Sequence, residues 1–344
     1  MSTQTASLLF EKASKLGASD VHIAVGSPIL FRIDGQLVPQ SKQVMSPTQG
    51  DQFVRGVIGE TSYKRLKEMR EIDVSFELPS GVRMRVNCMY ERGNVGLIAR
   101  IIPNEIPSLE ALGLQHLAEQ FCSLSQGFIL FTGPTGSGKS SSLAAIIDYI
   151  NHTRAAHIVT LEDPIEFVFG RGQGLIRQRQ YGQDFLSFAE AMKRVLRQDP
   201  DIVMVGEMRD PETIATALTL AETGHLIFAT LHTPNTIQTV DRIIDVFPSH
   251  QQAQIRSQLS MSLTAIVAQK LLPKEGGGRV ALREVLLNTP AVANIIRTSR
   301  AQELKTVLQT SESIGMITFA KAAKRLYDEG AISKEIYELV MASI

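Results

Sequence analysis

The sequence has no tryptophan, only two cysteines and no net charge, with 35 basic and 35 acidic residues. Cys88 and Cys122 are far apart among apolar neighbours, so they are too few for a zinc site and predict buried free thiols. A neutral balance gives no bulk attraction to nucleic acid or anionic lipid. This argues against a dedicated DNA motor, although zero net charge is still compatible with a locally basic channel.

Long apolar runs are absent as well. No stretch reaches the roughly 18 residues of a membrane helix, and the first 20 residues lack the pattern of a secretory signal. We therefore expect a soluble, cytoplasmic protein. Hydrophobic residues make up 44% of the 344 residues and charged residues 20%, which predicts a packed core and is enough for two domains.

The predicted first domain, residues 1–102, is a small α+β unit. A helical stretch is followed by a hairpin centred on Asp34-Gly35, a second helix and three alternating strands within residues 71–102. Residues 103–113 carry two prolines and predict a linker. The predicted second domain is then 114–344.

Strands and helices alternate in the second domain. The apolar runs "GFILFTG", "HIVTLED", "DIVMVGE" and "HLIFATLH" are typical of strands in a sheet covered on both faces. Ser187 and Glu190 predict one helix start, and Pro211 with Gly224 brackets another helix. The fold class is therefore α/β, with the last sixty residues helical.

A phosphate-binding loop follows the first apolar run. Gly133, Gly138, Lys139 and Ser140 fit the pattern G-x-x-x-x-G-K-[ST], between a strand and a helix. In this pattern backbone N–H groups surround phosphate oxygens, the lysine reaches the β- and γ-phosphates, and the hydroxyl binds Mg²⁺. The predicted nucleotide-binding residues are Gly133, Pro134, Thr135, Gly136, Ser137, Gly138, Lys139, Ser140 and Ser141.

Hydrolysis further needs a carboxylate near the metal and a group that aligns water. Glu162 and Glu207 each end an apolar run, where side chains project from the carboxyl edge of a parallel sheet. The alternative for both is a helix-capping or surface acid. His232 ends another run and is a candidate sensor of the γ-phosphate, although a lone histidine is more often structural.

Three arginines, Arg83, Arg85 and Arg100, lie on the last strands of the first domain. One interpretation is a solvated edge strand. The other is that they reach the nucleotide, including that of a neighbouring subunit, as arginine fingers.

Four stretches together resemble the secretion ATPase superfamily, specifically its pilus-retraction (PilT/PilU) branch. They are "GPTGSGKSS" (Walker A), "VTLEDPIEFV" (Asp box), "LRQDPDIVMVGEMRDPET" (Walker B) and "AETGHLIFATLHT" (His box). "GASDVHI", "RMRVN", "ARIIPNEIPSLEALGL" and "DRIIDVFP" extend the similarity over nearly the whole chain.

The resemblance implies a PAS-like N-terminal domain, a RecA-like ATPase domain and a ring of six subunits that uses ATP and Mg²⁺. It implies that Glu162 is a catalytic carboxylate and Glu207 the Walker-B acid, which with Ser140 holds Mg²⁺ directly or through water. His232 becomes the γ-phosphate contact, with His225 beside it. Arg85 and Arg100 match arginines sent toward the nucleotide, and Arg197 is a further phosphate-side candidate.

The implied function is an ATP-driven motor for type IV pilus retraction, recruited to an inner-membrane platform protein. The chain departs from the retraction ATPases at Ala293 and Thr298, where they typically carry Arg and Glu. An accessory PilU-type motor, working with a paralogous retraction ATPase, is therefore an alternative. Assembly ATPases usually carry a four-cysteine zinc site, which two cysteines cannot form.

An alternative of another class is a nucleic-acid translocase, against which the neutral charge and the lack of a basic, aromatic-interleaved stretch count. No direct nucleic-acid partner is expected. A ring subunit that does not hydrolyse ATP is disfavoured by the intact acids and His232.

Overall fold

A computed structural model describes residues 3–33, 35–102 and 105–344. The chain divides by internal contacts into an N-terminal unit, Met1–Glu105, and a C-terminal unit, Ile106–Ile344. The predicted domain limits stay a prediction. Of the predicted linker, residues 103 and 104 lie outside the described residues, and the remainder includes a short helix.

The N-terminal unit is a six-stranded antiparallel sheet with two helices, in the strand order β3-β2-β1-β6-β5-β4. The elements are α1 (Thr3–Lys15), β1 (Asp20–Ile23), β2 (Leu30–Ile33), β3 (Gln36–Pro39), α2 (Pro47–Met69), β4 (Glu71–Glu77), β5 (Arg83–Glu91) and β6 (Asn94–Ile102). The predicted hairpin is the pair β2–β3, with Asp34 of its turn outside the described residues. The three alternating strands are β4, β5 and β6.

The C-terminal unit contains a seven-stranded sheet in the order β13-β12-β7-β11-β10-β8-β9. Its strands are β7 (Gly127–Thr132), β8 (His157–Glu162), β9 (Leu175–Gln180), β10 (Ile202–Val205), β11 (Leu226–Leu231), β12 (Leu263–Pro273) and β13 (Arg279–Leu287). All neighbours pair in parallel except the hairpin β12–β13.

Helices α3 to α13 complete this unit. They are α3 (Leu109–Leu112), α4 (Gln115–Cys122), α5 (Lys139–Thr153), α6 (Phe188–Val195), α7 (Pro211–Glu222), α8 (Thr236–Asp245), α9 (Ser249–Ser262), α10 (Pro290–Arg297), α11 (Leu304–Thr310), α12 (Phe319–Asp328) and α13 (Lys334–Ala342). The predicted helix ends are present: Ser187 accepts from the N–H of Glu190, and α7 begins with Pro211 and is followed by Gly224 at φ 100°.

The four predicted apolar strands are β7, β8, β10 and β11, and they share one core with α5, α7, α8 and α9. Every residue of β7, β10 and β11 is buried. Because these four strands are parallel, the residues that follow them meet at one edge of the sheet. That edge carries the phosphate loop, Glu162, Glu207 and His232.

Both cysteines are free and buried, as predicted. Burial raises the pKa of the Cys88 thiol and of the Cys122 thiol to about 12. Within the described ranges, the chain forms no helix that is both long and apolar enough to cross a bilayer.

Candidate active site

The phosphate loop joins β7 to α5 through a sharply turned backbone. Gly133 and Gly138 have φ values of 142° and 85°, a region that side-chain-bearing residues rarely adopt. Gly138 is the N-cap of α5, and no side chain caps this end. The N–H groups of the first turn of α5 are therefore directed outward at the positive end of the helix dipole, which is an arrangement for binding an anion.

Lys139 lies against the inside of this loop. Its Nζ donates to the carbonyl oxygens of Gly133 at 2.7 Å and Pro134 at 3.0 Å, and the residue is 7% exposed. Burial lowers the pKa of Lys139, while the charges of Glu207 and Glu166 act in the opposite direction. The two acids thus belong to the surroundings of the lysine.

Glu207 follows β10 and is bound from two sides. Its Oε1 lies 3.1 Å from Nε2 of His232, and its Oε2 accepts from Nε of Arg209 at 2.8 Å. Burial raises the pKa of Glu207, but Arg209 and His232 together outweigh burial, so the pKa lies below its usual value. Glu207 is therefore a stable anion at neutral pH.

Glu162 ends β8 in very different surroundings. It is 6% exposed, and its Oε1 accepts from Oγ1 of Thr160 at 2.6 Å and Nε2 of Gln178 at 3.2 Å. Burial raises the pKa of Glu162 to about 7, although these two hydrogen bonds act to lower it. A carboxyl group with this pKa can take up a proton near neutral pH.

Lys139 begins α5, and Glu162, Glu207 and His232 lie at the carboxyl ends of β8, β10 and β11, so all four lie at the same edge of the sheet. The charge of Glu166 acts on both Lys139 and Glu162. It therefore connects Glu162 with the group formed by Lys139, Glu207 and His232. Arg209, Glu166, Thr160 and Gln178 were not predicted. Arg209 was detectable as a charge two residues after the Walker-B acid, whereas Gln178 lies on a different strand from Glu162.

Two predicted residues are not at this edge. His225 precedes β11, whereas His232 follows it, so seven rises of roughly 3.3 Å separate their Cα atoms by about 23 Å. The prediction that His225 lies beside His232 is therefore wrong; its Nδ1 contacts the carbonyl oxygen of Leu220 instead. Arg197 is exposed and precedes β10, so it does not face the phosphate loop of its own chain.

Arg85 and Arg100 lie directly opposite each other on β5 and β6 in the N-terminal unit. Nε of Arg100 donates to Oδ1 of the buried Asp20 at 2.8 Å, while Arg85 lies 3.9 Å from Asp73. The edge-strand interpretation is wrong, because β5 lies between β4 and β6, and β6 lies between β5 and β1. Both side chains are exposed, so two guanidinium groups lie next to each other on the same face of the sheet.

A cavity of about 830 Å³ adjoins the phosphate loop. Gly138 and Ser141 border it on the loop side, and further lining residues come from α3, β12 and β13. If Mg²⁺ binds at this edge, the predicted ligands Ser140, in the first turn of α5, and Glu207 would supply a hydroxyl and a carboxylate. These oxygen donors fit a hard cation that takes most of its other ligands from phosphates and water.

A sequence profile described as "Type II/IV secretion system protein" matches residues 3–336. This match covers both units and every motif described above. The chain belongs to this family.

Among relatives in this secretion family, the type IV pilus retraction ATPase PilT of Pseudomonas aeruginosa is 43% identical over 323 residues, 94% of each chain. The twitching motility protein of Neisseria gonorrhoeae is 44% identical over 330 residues, 96% of this chain and 88% of its own. The type IV pilus ATPase PilU of Pseudomonas aeruginosa is 41% identical over 331 residues, 95% and 87% of the two chains.

A crystal structure of the pilus retraction motor PilT with bound ADP superimposes with a TM-score of 0.91 at 41% identity, covering 97% of this chain and 96% of that one. These findings confirm the predicted resemblance and the α/β, RecA-like ATPase fold. This member of the secretion family is an ATPase. The assignment of the phosphate loop as its nucleotide site stays a prediction. The PAS-like assignment of the N-terminal unit stays a prediction.

Proposed function

We propose that this ATPase powers type IV pilus retraction, and with it twitching motility. The observation that carries the proposal is that Glu207 forms ion pairs with His232 and Arg209 and that its charge acts on Lys139. This arrangement occurs in a chain that is similar to a retraction ATPase over 94% of its length. A binding-only protein does not need a buried acid of raised pKa beside a second, ionised acid.

In the proposed reaction, Lys139 and the N–H groups of the loop bind the triphosphate. The base and ribose extend into the adjoining cavity. Glu162 takes a proton from the attacking water, and Glu207 keeps its charge. His232 links Glu207 to the γ-phosphate. Mg²⁺, when bound by Ser140 and Glu207, neutralises charge on the phosphates.

The remaining predicted residues are assigned to a ring. Arg85 and Arg100 are paired across β5 and β6 and exposed, so they are available to complete the site of a neighbouring subunit in a homo-hexamer. Arg197, which does not face its own loop, has a role only toward another copy. The motor acts in the cytoplasm at the inner-membrane base of the pilus, against a platform protein.

An accessory PilU-type role has one specific observation in its favour. Ala293 on α10 and Thr298 at its C-cap replace the Arg and Glu typical of retraction motors. In that case the chain assists a paralogous retraction ATPase, and its loss matters mainly under load.

Deletion of the gene tests the direction of the motor. Loss of a retraction motor leaves assembly unopposed, so cells keep or accumulate surface pili and lose twitching. Complementation with the intact gene restores twitching, whereas the Lys139→Ala variant does not. Cells that lack pili, and regain them with the intact gene, contradict both retraction roles. Normal twitching with normal piliation points instead to redundancy or to the accessory role.

Mixing two inactive variants tests the ring. Arg85→Ala leaves the catalytic residues of its own subunit intact, and Glu207→Gln leaves Arg85 intact. A mixture regains ATPase activity wherever an intact Arg85 faces an intact catalytic site. Activity that is independent of concentration in a stable monomer contradicts a shared site.

A further inference from the structure

Gln269 on β12 is a buried polar residue directly beneath the phosphate loop. It is 1% exposed, and its Nε2 donates to the carbonyl oxygen of Ser137 at 2.7 Å. Its Oε1 accepts from Oγ of Ser142 at 2.9 Å and from Nε of Arg283 at 2.9 Å. One amide therefore contacts the loop, the first turn of α5 and the neighbouring strand β13.

Two glycines of the loop are packed against this residue. A Cβ atom on Gly133 would lie 2.2 Å from the backbone oxygen of Gln269, and one on Gly138 would lie 2.8 Å from its Nε2. Both distances are shorter than a Cβ atom tolerates. Relief at Gly133 would require the backbone to move, and relief at Gly138 would require the amide of Gln269 to leave the carbonyl oxygen of Ser137. The loop thus needs glycine at these positions for two reasons: Gln269 occupies the space that a side chain would take, and both residues have positive φ values.

Arg283 determines which way the amide of Gln269 points. A guanidinium group only donates hydrogen bonds, so the amide oxygen has to face it. The NH₂ group is then directed at the carbonyl oxygen of Ser137. A rotated amide would place oxygen against oxygen at Ser137 and N–H against N–H at Arg283.

The position of Arg283 is costly for the fold. Burial lowers the pKa of its guanidinium to about 10, and no carboxylate in the described part of the chain offsets this charge. Its Nη2 is buried without a hydrogen-bond partner, and Nη1 lies 3.5 Å from the carbonyl oxygen of Gly113. An apolar residue of similar length is expected to be at least as stable there, so stability alone does not explain an arginine.

We propose that Gln269 and Arg283 are positioning residues for nucleotide binding: Arg283 orients the amide of Gln269, and Gln269 holds the phosphate loop in its anion-binding form. The inference rests on the proposed use of this loop for ATP. It assigns part of the ATP affinity to the hairpin β12–β13, which carries no catalytic motif.

The test compares Arg283→Met, which removes the donors, with Arg283→Lys, which keeps a charge and a donor. Arg194→Met on α6, whose side chain is 73% exposed, is the matched control. The readouts are the Kd of a fluorescent ADP analogue, KM and kcat for ATP, and the unfolding midpoint without nucleotide.

We expect Arg283→Met to raise Kd and KM about tenfold, about 1.4 kcal/mol, with kcat changed by less than about threefold and an unfolding midpoint that is unchanged or higher. Arg283→Lys recovers part of the affinity, and Arg194→Met binds like the wild type. Gln269→Glu, which turns the donor at Ser137 into an acceptor, weakens binding further.

Wild-type affinity in a folded Arg283→Met protein overturns the inference, and so does a loss of affinity matched by an equal loss of stability. If the wild type itself fails to bind the analogue, the nucleotide site and this inference fall together. Binding by the wild type that Lys139→Ala abolishes and Arg283→Met leaves intact overturns the inference alone.

Discussion

Glu162, the last residue of β8, and Glu207, two residues after β10, follow neighbouring strands of the sheet, and their surroundings are opposite. Glu162 is buried against the neutral groups of Thr160 and Gln178, and its pKa is raised to about 7. Glu207 is partly exposed between Arg209 and His232, and its pKa is lowered. The same side chain is thus held near its titration midpoint in one place and fully ionised in the other.

The difference assigns chemical roles that a motif alone does not distinguish. A group that titrates near neutral pH can accept a proton from water, whereas a group of low pKa supplies a constant charge. The comparison therefore predicts that replacing Glu207 lowers turnover because a constant negative charge is lost. Replacing Glu162 is predicted to change the pH dependence of turnover and stability because a titrating group is lost.

The largest expected effect is that of Glu207→Gln. It removes the charge that faces Arg209 and His232 but little volume, so ATP stays bound while kcat falls by about a thousandfold. ATP binding and steady-state turnover measure the two quantities. Glu212→Gln, an exposed acid on α7, is the control and keeps normal turnover. Near-normal turnover in Glu207→Gln would falsify its assignment as the Walker-B acid.

Next in size is the effect of Glu162→Gln on stability. The folded pKa of about 7 is above the ordinary value of 4.5, so the contribution of Glu162 to stability falls as pH rises from 4.5 to 7, and its full cost is present above pH 7. The variant lacks this cost. It is expected to be more stable than the wild type by about 3 kcal/mol at pH 8 and about 1 kcal/mol at pH 5.

Urea unfolding at the two pH values measures this difference. A stability gain that is equal at both pH values shows that packing, rather than the ionisation of Glu162, is responsible.

A smaller effect concerns the pH dependence of turnover. Below pH 7 Glu162 becomes protonated, so kcat of the wild type falls about tenfold per pH unit. The residual activity of Glu162→Gln lacks this dependence. A flat profile in the wild type between pH 6 and 8 excludes Glu162 as the proton acceptor.

The smallest effect is that of Thr160→Val, which removes one hydroxyl and keeps the shape. The hydrogen bond from Thr160 lowers the pKa of Glu162, so its loss moves the midpoint of the pH profile upward. At pH 7 we expect kcat to fall about threefold, with the plateau at high pH unchanged. Thr160→Ser keeps the hydroxyl and the wild-type midpoint. A midpoint that moves downward contradicts the assignment.

The strands that build this edge were predictable because β7, β8, β10 and β11 are continuous apolar runs. Three strands of the same sheet were not. In β9, "LIRQRQ" is largely polar, and β12 follows α9 without an intervening turn, so its apolar residues read as a continuation of the helix. The strands β12 and β13 flank "EGGG", residues 275–278, a glycine run that by itself indicates only a flexible loop.

The residues of the candidate site also fall into a predictable group and a group that the sequence did not predict. Strand ends identified Glu162, Glu207 and His232, because position along a strand is a local property. The pKa of Glu162 depends on Gln178, and the orientation of Gln269 depends on Arg283, which is its partner in the register of the hairpin. Such pairs are set by strand register, which is not readable from one strand. The misplacement of His225 came from treating a motif as a cluster although a whole strand separates its ends.

The two buried thiols have a practical consequence for measuring motion in this motor. With pKa values raised to about 12, Cys88 and Cys122 stay protonated at neutral pH and out of reach of thiol reagents. The natural chain therefore serves as its own unlabelled background. A cysteine introduced on the exposed β3, paired with another at the glycine turn between β12 and β13, would carry the only two dyes. The distance between those dyes, measured without and with ATP, tests whether the nucleotide changes the separation of the two labelled positions.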